Sequence, residues 1–385
     1  MLREAVIVAY GRTPTSRARK GGLANMHPID YAAQALTGVL NKVPALKPEM
    51  IDDVVVGCAM PTNHLNLNTA RLIVNRAGLP ETVTAQTINR FCSSSLQAIS
   101  TAANAILAGA QDVVVAGGVE SMTHCFAPYP EEFMNKWLME NYIGAYMTMG
   151  ETAERVAEKY EITREMMEKM AVESHEKASA AQKAGKLAPS IISIDATDPE
   201  GNTFTFSQDD GIRPGTTMDS LKDLKTVFRE NGRVTAATSS QTTDAAAFVV
   251  LMSSEKAAEL GIKPLAKFIR FEVAGCDATL MGMGPVYAIR KIFEKTGLKT
   301  EDMDIIELNE AFASQALACI NELGLNSDKV NPYGGAMALG HPMGATGAFL
   351  TGKALDYLRD TGGKYALISM CIGGGMGAAC ILERI

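Results

Sequence analysis

The sequence predicts an α/β protein made of two related halves that face each other, with an extra segment inserted between them. Short strand-like runs such as Ala5–Ala9 and Val113–Ala116 alternate with longer helical patterns, which favours an α/β architecture. The length of 385 residues exceeds the limit of about 250 to 300 residues for a single hydrophobic core. A pattern of elements that recurs after about 250 residues indicates a duplicated unit.

The repeat is visible at two places. One helical stretch leads through a polar turn into the strand Val54–Val56, and another leads in the same way into Ile305–Leu308. Cys92 opens a helical run that ends before a strand, and His341 opens the matching run before Ala366–Met370. Helix N-termini from both halves then meet at one interface, where anions and clefts are favoured. Cys92 and His341 are therefore predicted to lie together.

Residues 123–240 have no counterpart in the second half and predict an inserted domain. This part contains a charged pattern, Glu151–Lys183, that predicts one long helix, followed by turn-rich sequence. The predicted division is an N-terminal half (1–122, with a return segment 241–255), the insertion, and a C-terminal half (256–385).

Composition excludes several classes of protein. The 36 basic and 43 acidic side chains give a net charge of −7, so no overall field attracts nucleic acid or an anionic membrane. The first apolar run is too short for a signal peptide, and no stretch approaches the roughly 18 apolar residues of a membrane span, so we expect a cytoplasmic protein. Seven cysteines without a close CxxC pair argue against a disulfide framework and a structural zinc site.

Two segments suggest thiol chemistry. Asn89–Ala98 places Cys92 before small hydroxyl residues that begin a helix, where N–H groups and the helix dipole favour a thiolate and predict a lowered pKa. A buried structural cysteine is the competing interpretation. The glycine-rich stretch 334–347 surrounds His341, one of only five histidines, and its position matches that of Cys92 in the repeat. His341 is interpreted either as a catalytic base or as a histidine with a structural role.

Two further segments place polar or reactive groups at the ends of predicted strands. Cys371 precedes the glycines 373–375, and a tight hairpin would explain those glycines but not the cysteine. Asn309 begins the tetrad Asn-Glu-Ala-Phe after a strand, where α/β folds place functional side chains. An equally good interpretation makes Asn309 the N-cap of a helix over Ala311–Leu323.

At these four segments the sequence resembles the thiolase family, and the resemblance covers essentially the whole chain. The cysteine segment, the Asn309 tetrad, Gly340-His341-Pro342 and Cys371-Ile372-Gly373 occur in the family's order and spacing. Ketoacyl synthases share the duplicated fold, but their Cys/His/His set is not matched here. The resemblance implies a thiolase-like fold with two duplicated α/β halves, mixed central sheets packed face to face, and an inserted loop domain.

The resemblance also implies roles for five residues. Cys92 would carry the acyl group as a thioester, His341 would activate it, and Cys371 would exchange a proton with the acetyl-CoA carbanion. Asn309 would hold a water that forms one oxyanion hole with His341. The backbone N–H groups of Cys92 and Gly373 would form the second oxyanion hole, which such chemistry requires.

In this family the insertion covers coenzyme A, which would be a cosubstrate; no metal or bound cofactor is expected. The matching positions are Arg213, Ser220, Ala236, Ser240 and Phe312, with Met149 near the pantetheine arm. Residues 211–233 hold five basic side chains against three acidic ones, which suits a nucleotide phosphate. One departure is Thr148, which stands where many short-chain biosynthetic members carry a histidine.

The leading expectation is a degradative thiolase that cleaves 3-ketoacyl-CoA in fatty acid β-oxidation, because Ser93 follows the cysteine where acetoacetyl-CoA-forming members usually have glycine. One alternative is a biosynthetic acetyl-CoA acetyltransferase. Another is a non-catalytic lipid-binding or scaffold protein, against which the three catalytic positions argue. The resemblance further implies a homodimer or homotetramer and, for degradative members, a hydratase/dehydrogenase partner subunit.

Overall fold

A computed structural model describes residues 3–125 and 130–385 of the chain. Its strands are β1 (Ala5–Arg12), β2 (Ser16–Arg17), β3 (Asp53–Gly57), β4 (Thr84–Ile88), β5 (Val113–Ser121), β6 (Ile194–Thr197), β7 (Thr203–Phe206), β8 (Thr243–Ser253), β9 (Ala266–Gly275), β10 (Ile305–Leu308), β11 (Tyr365–Ile372) and β12 (Met376–Arg384). Its α-helices are α1 (Pro28–Leu40), α2 (Thr69–Arg76), α3 (Ser94–Leu107), α4 (Lys136–Asn141), α5 (Met149–Lys159), α6 (Arg164–Lys183), α7 (Met218–Leu221), α8 (Ser254–Glu259), α9 (Gly284–Thr296), α10 (Ala313–Leu323), α11 (Ala336–Leu339) and α12 (Thr346–Thr361).

Each half contains a mixed sheet. The N-terminal sheet has the order β4-β3-β5-β8-β1, with β3 parallel to both β4 and β5 and with β8 antiparallel to β5 and β1. The C-terminal sheet has the order β10-β11-β12-β9, with one parallel pair followed by two antiparallel pairs. A short antiparallel contact between β1 and β9 pairs Val6 with Lys267 and Ile7 with Ala266. The two sheets are therefore joined at one edge.

The main core lies between the two sheets and is filled by α3 and α12. Leu96 and Ile99 of α3 and Phe349 of α12 share one buried cluster with Val114 from one sheet and Ile368 from the other. The outer face of the N-terminal sheet packs against α1 and α2, and that of the C-terminal sheet against α9 and α10. The sheets thus face each other across a layer of two helices, which buries apolar surface from both halves at once.

The predicted repeat is confirmed by the order of the elements. Helix α1 leads to β3 as α9 leads to β10, and α3 leads to β5 as α12 leads to β11. An isolated parallel bridge between Ile306 and Val330 stands where β4 pairs with β3 in the first half. Both α3 and α12 are preceded by one turn of 3-10 helix, at Phe91–Ser93 and Met343–Ala345 respectively. These two turns bring the candidate catalytic residues to the interface of the halves.

The segment between β5 and β8 carries α4 to α7 and its own two-stranded sheet of β6 and β7. The prediction of one helix over Glu151–Lys183 is wrong, since α5 and α6 are separate helices. Glu161 between them has φ 55°, and the Thr163 side chain caps α6. A buried ion pair of 2.6 Å joins Asp209 of this segment to Arg12 in β1. The proposed domain boundaries stay a prediction. None of the helices in the described ranges has the length and apolar character needed to cross a membrane.

Candidate active site

A tight turn carries Cys92 from β4 to the start of α3. Asn89 Oδ1 accepts a hydrogen bond from Phe91 N at 2.8 Å, and Ser94 Oγ donates to Phe91 O at 2.7 Å. Phe91 has φ 44°, in the left-handed region that non-glycine residues rarely adopt. Backbone strain of this kind persists only where the surrounding contacts fix it, and it is concentrated at active sites.

Cys92 is almost fully buried, with 8% of its surface exposed. The backbone N–H groups of Cys92 and Gly373 hydrogen-bond its thiol group. Burial raises the pKa of Cys92 to about 11, because it outweighs the lowering effect of these two N–H groups. The lowered pKa expected from the sequence is therefore wrong. Attack by this thiol requires a neighbouring base that takes its proton.

Cys371 lies near the end of β11, two residues before Gly373, and is fully buried. The turn between β11 and β12 contains Gly374 and Gly375, with φ 82° and 85°. The tight hairpin that the sequence suggested for these glycines is therefore present. Burial raises the pKa of Cys371 well above its ordinary value, and the nearby Cys92 raises it further. Cys371 is thus a protonated thiol that interacts electrostatically with the first cysteine.

His341 is held against the return segment of the N-terminal half. Its backbone N–H donates to Gln241 O at 3.1 Å and to Thr243 Oγ1 at 3.2 Å. The ring Nδ1 lies 2.7 Å from Thr346 Oγ1. Burial lowers the pKa of His341 to about 4, so the imidazole is neutral near pH 7 and can accept a proton. A hydroxyl group both donates and accepts, so Thr346 is compatible with either tautomer of the ring.

Asn309 directly follows β10, and its backbone N–H donates to Ser369 O at 2.9 Å. Its interpretation as a helix N-cap is wrong, because α10 begins at Ala313 with Phe312 at the N-cap. The Asn309 Nδ2 lies 3.4 Å from Nε2 and 3.5 Å from Nδ1 of His341. Its Oδ1 is buried without a hydrogen-bond partner among the described residues. An unpartnered buried acceptor beside the imidazole suits a bound water or a polar substrate atom.

The four segments converge because the turns of the two halves meet. The turn at Phe91–Ser93 packs against β11 and against the turn at Met343–Ala345. One half thus supplies the first cysteine, and the other half supplies the remaining groups. The residues brought together at this interface are Cys92, His341, Asn309, Cys371 and Gly373.

The six candidate coenzyme A residues fall into three neighbouring groups. A cavity of about 300 Å³ is lined by Arg213, Ser220 and Ala236. Ser240 N donates to Ala311 O at 3.0 Å, and Ser239 bridges to Phe312. Met149 lies outside that cavity and close to the catalytic glycine turn, since a Cβ placed on Gly373 would be 3.7 Å from Met149 Sδ. Met149 thus lies beside Gly373, whereas Arg213, Ser220 and Ala236 share the cavity.

Fewer basic side chains of the insertion are free to bind an anionic ligand than its sequence suggests. Of the five basic side chains between residues 211 and 233, Lys222 and Arg229 form ion pairs and Arg233 donates to backbone carbonyl groups. Arg213 and Lys225 form no ion pair within the part of the chain that the structure describes. These two side chains are the cations left for an anionic ligand.

Sequence reasoning missed two residues beside the site. One is Thr346, the partner of His341. The other is Glu120, fully buried at the end of β5, whose carboxylate accepts from Ala59 N at 3.0 Å and Gly344 N at 2.9 Å and so links the two halves. Burial raises the pKa of Glu120 to about 7. Neither residue type carries a sequence signal by itself, because threonine and glutamate are common at helix starts and strand ends.

Comparisons with known proteins find matches to both halves of the chain. Residues 5–255 match the family model of the thiolase N-terminal domain, and residues 262–384 match that of the thiolase C-terminal domain. The 3-ketoacyl-CoA thiolase of Bacillus subtilis (strain 168) is 45% identical over 390 residues, which cover 99% of this chain and 100% of that protein. The β-ketoadipyl-CoA thiolase of Escherichia coli is 42% identical over 402 residues, covering 100% of both.

A solved structure agrees with these sequence matches. The crystal structure of the Bacillus anthracis acetyl-CoA acetyltransferase superposes with a TM-score of 0.93 at 38% identity, and the match covers 100% of this chain and 99% of that one. The predicted thiolase-like fold is confirmed by this similarity. The protein therefore belongs to the thiolase family and is an acyltransferase.

Proposed function

We propose that this thiolase cleaves 3-ketoacyl-CoA with coenzyme A, and that Cys92 is the nucleophile. The observation that carries the proposal is the surroundings of the Cys92 thiol. Two backbone N–H groups hydrogen-bond it, and the protonated Cys371 lies close by. A neutral His341 belongs to the same site. A nucleophile, a proton acceptor, a proton donor and oxyanion donors are the four components that acyl transfer with carbon–carbon cleavage requires.

The first step is attack on the 3-keto carbon. The Cys92 sulfur bonds to that carbon while its proton passes to His341 Nε2 or Nδ1. The bond between C2 and C3 then breaks, and the departing acetyl-CoA carbanion takes the proton of Cys371. The acyl group remains on Cys92 as a thioester. Charge that develops on the thioester oxygen of the leaving acetyl-CoA is stabilised by His341 with a water held by Asn309.

The second step returns the enzyme to its starting state. His341 passes the proton that it took from Cys92 to the Cys371 thiolate. Coenzyme A then gives its thiol proton to the neutral His341 and attacks the acyl-enzyme carbonyl. The N–H groups of Cys92 and Gly373 stabilise the tetrahedral oxyanion. The C–S bond to Cys92 breaks, and Cys92 regains its proton from His341. The sum is one 3-ketoacyl-CoA and one coenzyme A converted to acetyl-CoA and a shortened acyl-CoA, without a metal or a bound cofactor.

Coenzyme A is proposed to bind along the insertion. Arg213 in the cavity with Ser220 and Ala236 provides a cation for its phosphates, and Lys225 provides a second. Ser240 and Phe312 would contact the pantetheine arm, and Met149 would lie near its thioester end. Arg213 in the cavity and Met149 beside Gly373 support this order.

The degradative direction is supported by two observations. The Bacillus subtilis and Saccharophagus degradans relatives, 45% and 44% identical, are both 3-ketoacyl-CoA thiolases. Thr148 stands where many biosynthetic members carry a histidine. A biosynthetic acetyl-CoA acetyltransferase is the second candidate, and the Bacillus anthracis structure favours it. A role in fatty acid β-oxidation belongs to the first candidate.

A kinetic series decides between the two candidates. We expect thiolysis of 3-ketoacyl-CoA without added cofactor, with kcat/KM higher for a six-carbon or longer chain than for acetoacetyl-CoA. The loss of the 3-ketoacyl-CoA enolate absorbance measures the rate. Turnover of acetoacetyl-CoA alone would assign the protein to the biosynthetic type, and no turnover of any chain length would refute the proposal.

Assembly and location are proposed on the family resemblance. A homodimer or homotetramer is expected because closed symmetric assemblies are the usual rule. A hydratase/dehydrogenase subunit is a further partner of the degradative type, and the cytoplasm is the proposed location. Light scattering at micromolar concentration tests the first point, and a 41.0 kDa monomer would contradict it.

A further inference from the structure

A buried carboxylate lies directly after Asn309 and has no part in the proposed proton transfers. Glu310 is 3% exposed, and three donors hydrogen-bond its carboxylate. Ser174 Oγ on α6 lies 2.7 Å from Oε2, Met337 N on α11 lies 3.2 Å from the same oxygen, and Asn331 Nδ2 lies 3.0 Å from Oε1. Glu310 thus joins the insertion to two separate segments of the C-terminal half.

The bond to Asn331 fixes the chain on both sides of Asn309. Asn331 Oδ1 accepts from Leu308 N at 3.0 Å, and its Nδ2 donates to Leu308 O at 2.8 Å as well as to Glu310. Leu308 precedes Asn309 and Glu310 follows it, so one amide side chain holds both neighbours of Asn309. Asn331 itself has φ 46°, a strained conformation that persists only where surrounding contacts fix it.

The bond to Met337 connects Glu310 with the chain that leads to His341. Met337 N belongs to the first turn of α11, where N–H groups lack partners within the helix. The N-cap of α11 is Gly335, which has no side chain that could accept from them, and a Cβ there would overlap the Glu310 carboxylate. The carboxylate therefore caps α11 in place of an N-cap side chain, and α11 ends two residues before His341.

Glutamine cannot take the place of Glu310 in this network without a conflict. The Ser174 hydroxyl accepts from Gly335 N at 3.1 Å, so its own proton is directed at Glu310. The Asn331 amide is held by both backbone groups of Leu308, so it cannot turn its oxygen towards residue 310. In either orientation, the NH2 group of a glutamine would therefore face another donor. A buried donor without an acceptor is costly.

We propose that Glu310 is a positioning residue that sets the spacing of Asn309 and His341 in their shared oxyanion hole. Asn309 Nδ2 lies 3.4 Å from His341 Nε2, although the two residues come from separate segments. Glu310 follows the first of them in the chain and holds the helix that precedes the second. The kinetic consequence of this role rests on the proposed function, whereas the spacing itself does not.

Glu310→Gln tests the role by the two reaction steps. The kcat of thiolysis should fall about 10- to 100-fold, because carbon–carbon cleavage uses the oxyanion hole of Asn309 and His341. The KM for 3-ketoacyl-CoA should stay within about threefold. Transfer of an acetyl group from acetyl-CoA to Cys92 should also change by less than about threefold, since His341 N remains bonded to Gln241 O and Thr243 Oγ1. Equal losses in both steps, or a kcat at the parental value, would overturn the proposal.

Two further variants complete the comparison. Glu272→Gln is the matched control, because Glu272 is also a buried carboxylate but pairs with Arg270 and Lys291 on the C-terminal sheet. It should keep both rates within about twofold. Ser174→Ala removes one of the three bonds to Glu310 and should lower kcat by roughly 2- to 10-fold. If Glu310→Gln does not fold, a parental kcat in Ser174→Ala overturns the proposal instead.

Crystal structures of the parental protein and of Glu310→Gln measure the spacing without any activity. The distance between Asn309 Nδ2 and His341 Nε2 should increase by more than about 0.5 Å in Glu310→Gln and should not change in Glu272→Gln. An unchanged distance in Glu310→Gln overturns the positioning role and leaves the proposed function standing. Absence of thiolysis in the parental protein refutes the proposed function, and the measured distance then still decides whether Glu310 sets the spacing.

Discussion

Two cysteines share the active site, and the fold places them in different surroundings. Cys92 stands in a strained turn before α3, with 8% of its surface exposed and two backbone N–H groups at its thiol. Cys371 lies within β11, fully buried, where burial and the neighbouring Cys92 both hold its pKa high. Position in the secondary structure thus separates a slightly exposed thiol beside two N–H groups from a fully enclosed thiol, although burial raises the pKa of both.

The duplicated fold explains why both cysteines are needed at one place. The first half supplies Cys92 at a helix start, and the second half supplies His341 at the equivalent place and Cys371 from the adjacent strand. Neither half contains a complete site. The difference between the cysteines predicts that their replacements have different consequences.

The largest expected effect follows replacement of the nucleophile. Cys92→Ala should lose both acyl transfer and thiolysis by on the order of 10,000-fold or more, because no other group can carry the acyl chain. Steady-state thiolysis and incubation with radiolabelled acetyl-CoA measure the two losses. Retained labelling of the folded variant would place the acyl group on another residue.

Replacing Asn309 should have the next largest effect. Its Oδ1 has no partner among the described residues, so its amide is available to hold the proposed water of the oxyanion hole. Asn309→Ala should lower kcat by on the order of 100- to 1,000-fold. Transfer of an acetyl group from acetyl-CoA to Cys92 should suffer less, since that exchange is the reverse of the second step and uses the N–H groups of Cys92 and Gly373. Stopped-flow measurement of both steps tests the difference, and equal losses in both would remove this role.

Cys276 is a suitable cysteine with which to compare the alkylation rate of Cys92. Burial raises the pKa of both Cys276 and Cys92 to about 11, but Cys276 is the more exposed of the two, and among the described residues no N–H donor acts on its sulfur. Brief treatment with limiting iodoacetamide should label Cys92 about tenfold faster, because the N–H groups and His341 stabilise its reacting thiolate. Peptide mapping measures the ratio, and acetyl-CoA should protect Cys92 alone. Faster labelling of Cys276 would mean that exposure alone controls reactivity.

The smallest effect concerns Thr346, the hydroxyl partner of His341. Thr346→Ala should lower kcat/KM by roughly 2- to 15-fold, the value of one neutral hydrogen bond. Thr346→Ser keeps the hydroxyl and should restore most of the activity. Equal losses in both variants would show that the methyl group, and hence packing, matters instead.

The sequence predicts the fold and the pairing of Cys92 with His341 because both depend on local patterns that repeat, whereas the roles of Asn309, Cys371 and Gly373 are implied by the family resemblance. The alternation of elements, the matched positions of Cys92 and His341, and the glycines after Cys371 are all readable from neighbouring residues. The break between α5 and α6 is not readable in the same way, since it depends on a single positive φ at Glu161.

Other features depend on contacts between distant segments. The raised pKa of Cys92 results from burial between the two halves, which a helix-start pattern does not reveal. The pairing of Thr346 with His341 and the cross-link through Glu120 likewise arise only after the halves meet. Most basic side chains of the insertion are occupied by partners elsewhere in the chain, which composition also conceals.

The division of labour between the cysteines is tested most directly by Cys371→Ala. This variant should still take an acetyl group from acetyl-CoA onto Cys92, visible by intact-mass spectrometry, while its thiolysis falls by on the order of 100- to 10,000-fold. Cys380→Ala is the matched control, because Cys380 is also a fully buried strand cysteine but lies outside the site, and it should keep both activities if it folds. A folded Cys371→Ala protein that cleaves 3-ketoacyl-CoA at close to the parental rate would show that Cys371 is structural and contradict the mechanism.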